Sequence, residues 1–334
     1  MNAEQALDRA AEQGIHRLRI PTPFAVGRVN TYLIEDDPLT LVDSGPNSGL
    51  ALDELQHQLA ERGHSIDDIE LVIITHQHID HLGLVDIVAR HSGADVAAID
   101  LLARFADNFA DDAARDDEFA SAVMLRNGIP EDVVAALRTV SSAFRAWGSR
   151  ARVTRPLHDG DTLSLRDREL QVLHRPGHSP SDTVFWDERR RILIAADHLI
   201  KHISSNPLIS RPLDGDASPE NRPQALVIYM ESLRRTREMP AEIVLSGHGD
   251  PITDHVTLID ERLAFHGKRA EKIHGLITER PRSGYELAQA LFGDIAVTQA
   301  YLTLSEVLGH VDLLLNEARV RQEERDGVLV FEAA

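Results

Sequence analysis

The chain contains no cysteine. That absence excludes disulfide bonds, thiolate nucleophiles and Cys-ligated structural zinc together, so any metal must be held by histidine and carboxylate side chains. It also lacks any run of about 18 apolar residues, the minimum for a helix that crosses a bilayer. Its first residues, MNAEQALDRAAEQG, carry acids and have neither the basic nor the apolar region of a secretory leader. A cytoplasmic location with no membrane partner is therefore the expectation. Lysine is scarce: Lys201, Lys268 and Lys272 are the only three, and arginine supplies nearly all the positive charge. In total 35 basic residues face 54 acidic ones, a net charge of −19, and a field of that sign repels polyanions. No local basic patch offsets it, so a small-molecule substrate is expected and nucleic acid is not.

What is present fits a globular enzyme. Apolar residues make up 43% and charged residues 27% of 334 positions, and a chain of that length accommodates one large core plus a smaller module. Residues 17 to 44 read as short strands ending at Asp43-Ser44-Gly45, and residues 48–63 have helical periodicity. The run Leu71-Val72-Ile73-Ile74 fits a buried strand that delivers Thr75-His76-Gln77-His78-Ile79-Asp80-His81 at its C-terminal end, where open α/β sheets place their sites. A helix over 82–91 and a strand over 94–99 follow, then a wholly helical insert of 100–150, expected to form a subdomain or lid. Strands resume over 153–199. A helix over 219–238 precedes the strand 242–245, which ends in Ser246-Gly247-His248-Gly249. A long helix over 254–277, two further helices and a hairpin around Asp326-Gly327 suggest a small winged-helix-like module at 266–334, behind a catalytic domain at 1–265.

Three histidines and an aspartate within six residues are the chemical signal. Two histidines spaced by one residue at a strand end can turn both rings onto one ion, while Asp80 and His81 face a second. Three further histidine- or aspartate-bearing elements follow at the ends of predicted strands: Arg175-Pro176-Gly177-His178-Ser179, Ala195-Ala196-Asp197-His198 and the His248 element. Imidazole nitrogens and carboxylate oxygens suit zinc, and also iron or manganese.

The series HQHIDH, PGHS, AADH and SGHG, in this order and with Asp43 in LVDSG ahead of it, resembles the motif series of the metallo-β-lactamase superfamily over about residues 25–250. The resemblance implies an α/β fold, the four-layer αββα sandwich, here with the helical insert and the winged-helix-like C-terminal domain. It implies that His76, His78 and His178 hold a first divalent ion, that Asp80, His81 and His248 hold a second, and that Asp197 bridges them, with zinc the first choice of metal. It further implies a metal-bridging hydroxide as nucleophile, oriented by Asp80 as the catalytic residue, with Asp43 supporting the ligand loops. Cleavage of a thioester, ester or lactone is the leading activity. In the glyoxalase II-like branch, basic residues after the bridging aspartate and on a C-terminal helix hold an anionic tail, so the resemblance nominates Lys201, His266, Lys268 and Arg269. His198 and His202, near Asp197, are possible substrate contacts and equally plain loop residues.

Alternatives narrow against the same residues. β-Lactam-cleaving members mostly use a cysteine or other second-site ligands, and flavin-partnered diiron oxygen reductases carry glutamate where His78 stands. A lactamase-like endoribonuclease shares the motifs, but residues 276–334 hold ten acids against five arginines, a net of −5, the wrong sign for a phosphate-binding wing. That module is expected to pack or to form a homodimer. A mononuclear iron persulfide dioxygenase shares HxHxDH, whereas His248 favours a second ion. A binding protein with a decayed site does not fit so complete a ligand set. In the insert, Phe105, Phe109, Phe119, Phe144 and Trp147 are expected to be mostly core, with a substrate wall as the other reading.

Overall fold

The computed structural model describes residues 1–214 and 218–334. Its centre is two face-to-face sheets. The first runs in sequential order β1 (Ile15–Ile20), β2 (Val29–Ile34), β3 (Thr40–Val42), β4 (Leu71–Ile73), β5 (Asp95–Ile99) and β6 (Arg155–Leu157), antiparallel up to β3 and parallel from there. The second comprises β7 (Thr162–Ser164), β8 (Glu169–His174), β9 (Thr183–Asp187), β10 (Ile192–Ala196) and β11 (Ile243–Ser246), in the order 11-10-9-8-7, with only β10 and β11 parallel.

Successive strand residues point to opposite faces, and where both faces are covered the strands are buried apolar runs, as in β4 and β10. In β9, Phe185 faces the core between the sheets while Val184 and Trp186 face outward; in β10, Ile192 and Ile194 face in, and Leu193 and Ala195 face out. The outward set meets Leu226, Tyr229 and Leu233 of a helix at Ala225–Arg237 and Ile259 of a long one at His255–Glu279. On the far side of the first sheet lie Leu55 and Leu59 of a helix at Gly49–Ala60, Val85 and Val88 of one at Val85–Ser92, and Phe105 of one at Asp100–Asp107. The layers are helix, sheet, sheet, helix.

In chain order the helices are α1 (Ala3–Glu12), α2 (Gly49–Ala60), α3 (Ile79–Leu82), α4 (Val85–Ser92), α5 (Asp100–Asp107), α6 (Phe109–Arg126), α7 (Glu131–Phe144), α8 (Ala225–Arg237), α9 (His255–Glu279), α10 (Gly284–Phe292), α11 (Ile295–Thr298) and α12 (Ala300–Asn316). Their starts have local causes. Ser48 accepts from the Ala51 amide, Asp254 from that of Thr257, and Ser283 with Glu286 forms a capping box. The helix expected from 219 begins only at Ala225, because Pro223 removes an amide donor and biases Arg222 to extended backbone (ψ 147°). Among the described residues no helix is long and apolar enough to cross a membrane.

A second, separate core holds the C-terminal elements, and its composition revises the expected organisation. Leu287, Ala288, Leu304, Val307, Leu308 and Val311 of α10 and α12 pack with Ile273 and Ile277 of α9 and Phe331 of the three-stranded sheet formed by β12 (Arg282–Ser283), β14 (Val328–Ala333) and β13 (Val320–Arg325). Phe119, Val123 and Met124 of α6 and Val134 of α7 belong to the same core. The insert is thus no separate lid: α5 packs on the first sheet, and α6 and α7 complete the C-terminal module. The boundary expected between residues 265 and 266 falls inside α9, which continues unbroken from one core to the other. Sequence periodicity shows that a helix has an apolar face and says nothing of which core will take it.

Candidate metal centre

Two pairs of parallel strands, one pair in each sheet, end at one edge of the sandwich. β3 delivers Asp43, β4 delivers Thr75 to His81, β10 delivers Asp197 and β11 delivers His248. β9 runs antiparallel to β10, so the β8–β9 turn carrying His178 lies at this edge as well. Two positions are backbone outliers: Asp43 (φ 58°) and Ala196 (φ 44°), just ahead of Asp197, occupy the left-handed region that non-glycine residues seldom adopt. Strain of this kind persists where the surroundings fix a side chain in place, which is a mark of functional sites.

The seven residues expected to be ligands converge. Three sets of ligand atoms lie within 4.8 Å of one another: His76, His78 and His178; His76, His81 and Asp197; Asp80, His81 and His248. In the first, the Nε2 atoms of His76 and His178 lie 3.1 and 2.9 Å from His78 Nδ1. Asp197 reaches toward both ends: its Oδ2 is 3.6 Å from His178 Nε2 and 3.4 Å from His248 Nε2, and its Oδ1 is 3.4 Å from His81 Nε2. Asp80 Oδ2 stands 3.3 Å from His248 Nε2.

This donor set passes a physical test for metal ions. Buried polar atoms nearly always have partners, yet His81 Nε2 and Asp197 Oδ1 are buried here with no hydrogen bond. Burial and the adjacent His81 push the His76 imidazole well below its ordinary pKa; burial and the facing His178 push His78 down to about 3. Those rings are neutral and offer lone pairs. Around Asp197 the sign reverses. Burial opposes charge there, but Asp197 and Asp43 hold His81 well above the usual histidine range, and Asp197 and Asp80 raise His248 to about 10. Burial likewise opposes the Asp197 carboxylate, which His248 and His81 nonetheless hold well below the usual range. The site favours cationic charge at the ring nitrogens around Asp197, the positions at which a divalent cation replaces protons.

In four of the five cluster histidines the ring nitrogen turned away from the cluster has a fixed partner. His76 Nδ1 meets Thr75 Oγ1 (3.0 Å), His81 Nδ1 meets Asp43 Oδ2 (2.7 Å), His178 Nδ1 meets the Asn206 carbonyl (3.2 Å) and His248 Nδ1 meets the Arg28 carbonyl (3.0 Å). Such partners select the tautomer that presents a lone pair to a metal. Asp43 also accepts from the Thr75 amide (2.9 Å) and hydroxyl (2.8 Å), placing it behind the ligand loop. The Asn206 loop is itself tied to the C-terminal module: Asn206 Nδ2 donates to the Leu302 carbonyl, the Ile209 amide to Ser305 Oγ and the Tyr301 hydroxyl to the Ile209 carbonyl, while Arg211 pairs with Asp112 and Asp116 of α6.

The expected substrate residues are scattered. His266 is fully buried with its Nδ1 on His310 Nε2 (3.2 Å), so it presents nothing at the surface; its position on one face of α9 is core packing. Arg269 lies over Phe265 and Phe292 and faces Glu306. Lys201 and Lys268 are exposed. His198 is buried with Nε2 on Thr236 Oγ1 (2.8 Å), turned from the cluster. His202 is exposed, 3.5 Å from Asp250 and near Gly249, on the rim beside His248. Several supporting residues carried no signal in the sequence: Asn30 and Tyr32, which both donate to the Ser246 carbonyl, and Asn206. Gly247 stood inside a motif without a stated role; a Cβ there would overlap Asp197 Oδ1.

Comparison with known proteins places this arrangement. The sequence profile of the Metallo-beta-lactamase superfamily matches residues 25–248. The chain is 34% identical to a Bacillus subtilis protein described as "Probable metallo-hydrolase YqjP", over 91% of this chain and 92% of that one. Over 133 residues it is 33% identical to human acyl-coenzyme A thioesterase MBLAC2, a match covering 38% of this chain and 40% of the human protein. Among solved structures, a beta-lactamase domain protein from Burkholderia ambifaria superposes with a TM-score of 0.81 at 26% identity, over 96% of this chain and 92% of that one. A metallo-beta-lactamase family protein from Thermus thermophilus gives 0.76 at 26% identity, over 96% and 99%.

Proposed function

The chain belongs to the metallo-beta-lactamase superfamily, and from that premise we propose that it hydrolyses thioesters or related esters with two divalent metal ions, zinc being the best fit to its nitrogen and oxygen donors. The observation that carries this reading is the convergence of His76, His78 and His178 on one side of Asp197 and of Asp80, His81 and His248 on the other, with buried donor atoms left unpartnered. When bound, the ions would lower the pKa of a coordinated water to about 7 and draw charge from the scissile carbonyl.

The chain's own groups do the rest. Asp80, at the N-terminus of α3 and in contact with His248, orients the attacking water and accepts its proton, which passes to bulk water as the thiolate departs. Asp43, Thr75 and the Asn206 and Arg28 carbonyls fix the ring tautomers before substrate arrives, so little reorganisation accompanies reaction. The buried neighbours favour a good leaving group. Tyr32 and Tyr229 donate their hydroxyl protons to the backbone carbonyls of Ser246 and His198 (2.6 and 2.8 Å), and His198 faces Thr236. None of these three is free to protonate a departing amine. A thiolate, whose conjugate acid has a pKa of about 8.5, leaves without such help, and the partial likeness to an acyl-coenzyme A thioesterase points the same way. We read the C-terminal helices and hairpin as a winged-helix-like module that serves as a scaffold, since the arginines of the hairpin, Arg321 and Arg325, are engaged by Glu323 and Glu332.

Elemental analysis followed by assay against thioesters, lactones, phosphodiesters and RNA tests the proposal. Two metals per chain and thioester cleavage that is lost in His78→Ala are expected; activity surviving that substitution, or fewer than one metal under replete conditions, overturns it.

A further inference from the structure

Five aromatic residues of the insert region separate into two kinds once placed. Phe105 and Phe109 are buried in the main core and Phe119 in the C-terminal core. Phe144 and Trp147 are not: they close on Phe24, from the loop between β1 and β2, as a three-ring cluster that remains open to solvent. Ring centroids are 5.8 Å for Phe24–Phe144, 5.9 Å for Phe24–Trp147 and 5.3 Å for Phe144–Trp147. Phe144 is 40% exposed and the nearby Val26 39%.

One segment that carries this cluster is fastened beside an expected metal ligand and the other directly to one. The Trp147 carbonyl accepts from the Asn47 amide (2.7 Å), Ser149 Oγ donates to the Gly83 carbonyl (2.8 Å), and Gly148 lies so close to Ile79 and Phe109 that no Cβ would fit. Ile79 precedes Asp80 in α3. The loop carrying Phe24 and Val26 ends at Arg28, whose carbonyl holds His248 Nδ1, and at Val29, which bridges to His248 itself. The rings therefore form a lip beside the Asp80–His81–His248 half of the site. Two cations beside the rings are paired, Arg28 with Glu54 (3.5 Å) and Arg145 with Asp117. An apolar chain finds three ring surfaces there.

We propose that the Phe24–Phe144–Trp147 lip binds the hydrocarbon chain of the acyl group and makes the enzyme selective for medium or long acyl thioesters. The proposal rests on the thioesterase reading above. Burying one methylene fully changes an equilibrium by a factor of about four; on a wall open on one side roughly half that free energy is available, or about twofold per methylene. From a butyryl to a decanoyl thioester, kcat/KM then rises roughly sixtyfold.

The test measures kcat/KM across straight-chain acyl thioesters of increasing length for the holoenzyme and its variants. Phe144→Asn flattens the rise, Phe144→Leu restores most of it by returning an apolar surface, and Val140→Asn, one turn earlier on α7 and 48% exposed, leaves it as in the parent. A parent enzyme that cleaves thioesters with no dependence on chain length, or a Phe144→Asn enzyme with the parental dependence, overturns the lip while leaving the thioesterase reading intact. Should Phe144→Asn fail to fold, Phe24→Asn asks the same question. Should no thioester be cleaved, the thioesterase reading falls, and the lip is tested directly with decanoate. Trp147 is at the lip and Trp186 is buried in the core, so in a Trp186→Phe background a saturable change of fluorescence on adding decanoate supports the lip and its absence refutes it.

Discussion

Replacing Asp43 by asparagine alters one oxygen and tests whether the centre is built from the second layer inward. The carboxylate accepts three hydrogen bonds: Oδ1 from the Thr75 amide, and Oδ2 from the Thr75 hydroxyl and His81 Nδ1. An asparagine keeps only one acceptor atom. With its oxygen facing the Thr75 amide, its NH2 faces His81 Nδ1, which must then carry the lone pair. The proton moves to Nε2, the atom directed at Asp197 and at the proposed second metal position, and blocks it. With the amide flipped, two buried N–H groups face each other at Thr75, an unsatisfied pair that costs about 1–3 kcal/mol. Loss of a partner behind a ligating histidine lowers metal affinity by roughly 10–100-fold, which is about 1.4–2.7 kcal/mol. Asp43→Asn should therefore bind the first equivalent of zinc nearly as the parent does and the second more weakly by that factor, in chelator competition read by an indicator dye. Thermal unfolding of the metal-free protein separates the two arrangements, since only the flipped amide destabilises it. Equal affinity for both equivalents in a normally folded Asp43→Asn protein would refute the claim that this carboxylate sets the His81 tautomer.

Gly247→Ala should push the Asp197 carboxylate out of place, because the new methyl overlaps Oδ1 and crowds His81 Cε1 at 2.9 Å; metal content measured by mass spectrometry falls while circular dichroism stays that of a folded protein. Acid should weaken the C-terminal core through His266 and His310, which burial pushes down to about 3 and about 4, with His310 and the Arg262 and Arg269 cations adding to the effect at His266 and Arg269 at His310. Below the ordinary histidine value of about 6.5 the unfolded chain binds protons that the folded chain refuses, so stability falls with falling pH by up to about 1.4 kcal/mol per pH unit for each ring. Denaturant unfolding followed at pH 7 and pH 5 measures this in the parent and in His310→Phe; an equal loss in both sinks the assignment.

Much of the centre was legible in the sequence because its ligands arrive by a rule that is local. A run of apolar residues forms a buried strand, and the polar residues just after it stand at the sheet edge, so the order of strand ends is also the order of ligands. The resemblance implied the sandwich, and buried apolar runs such as β4 and β10 agree with it, since such strands must be covered on both faces. Amphipathic faces are different. α6 and α7 showed an apolar period, but nothing local says which core an apolar face will join, and the structure sends Phe119, Val123, Met124 and Val134 to the C-terminal module. Partners distant in sequence were equally hidden: Asn206 beneath His178, Arg28 beneath His248 and Phe24 against Phe144 are brought together by chain crossings that no short window contains. The sequence by itself determined the order in which the candidate ligands arrive at strand ends, through spacing and hydrophobic period, while the resemblance of its motifs supplied their expected roles and the two-sheet core. Only the tertiary structure decided which nitrogen of each ring faces the site, which helices support it and which aromatic rings stay open beside it, because those depend on contacts between segments whose approach is set by packing.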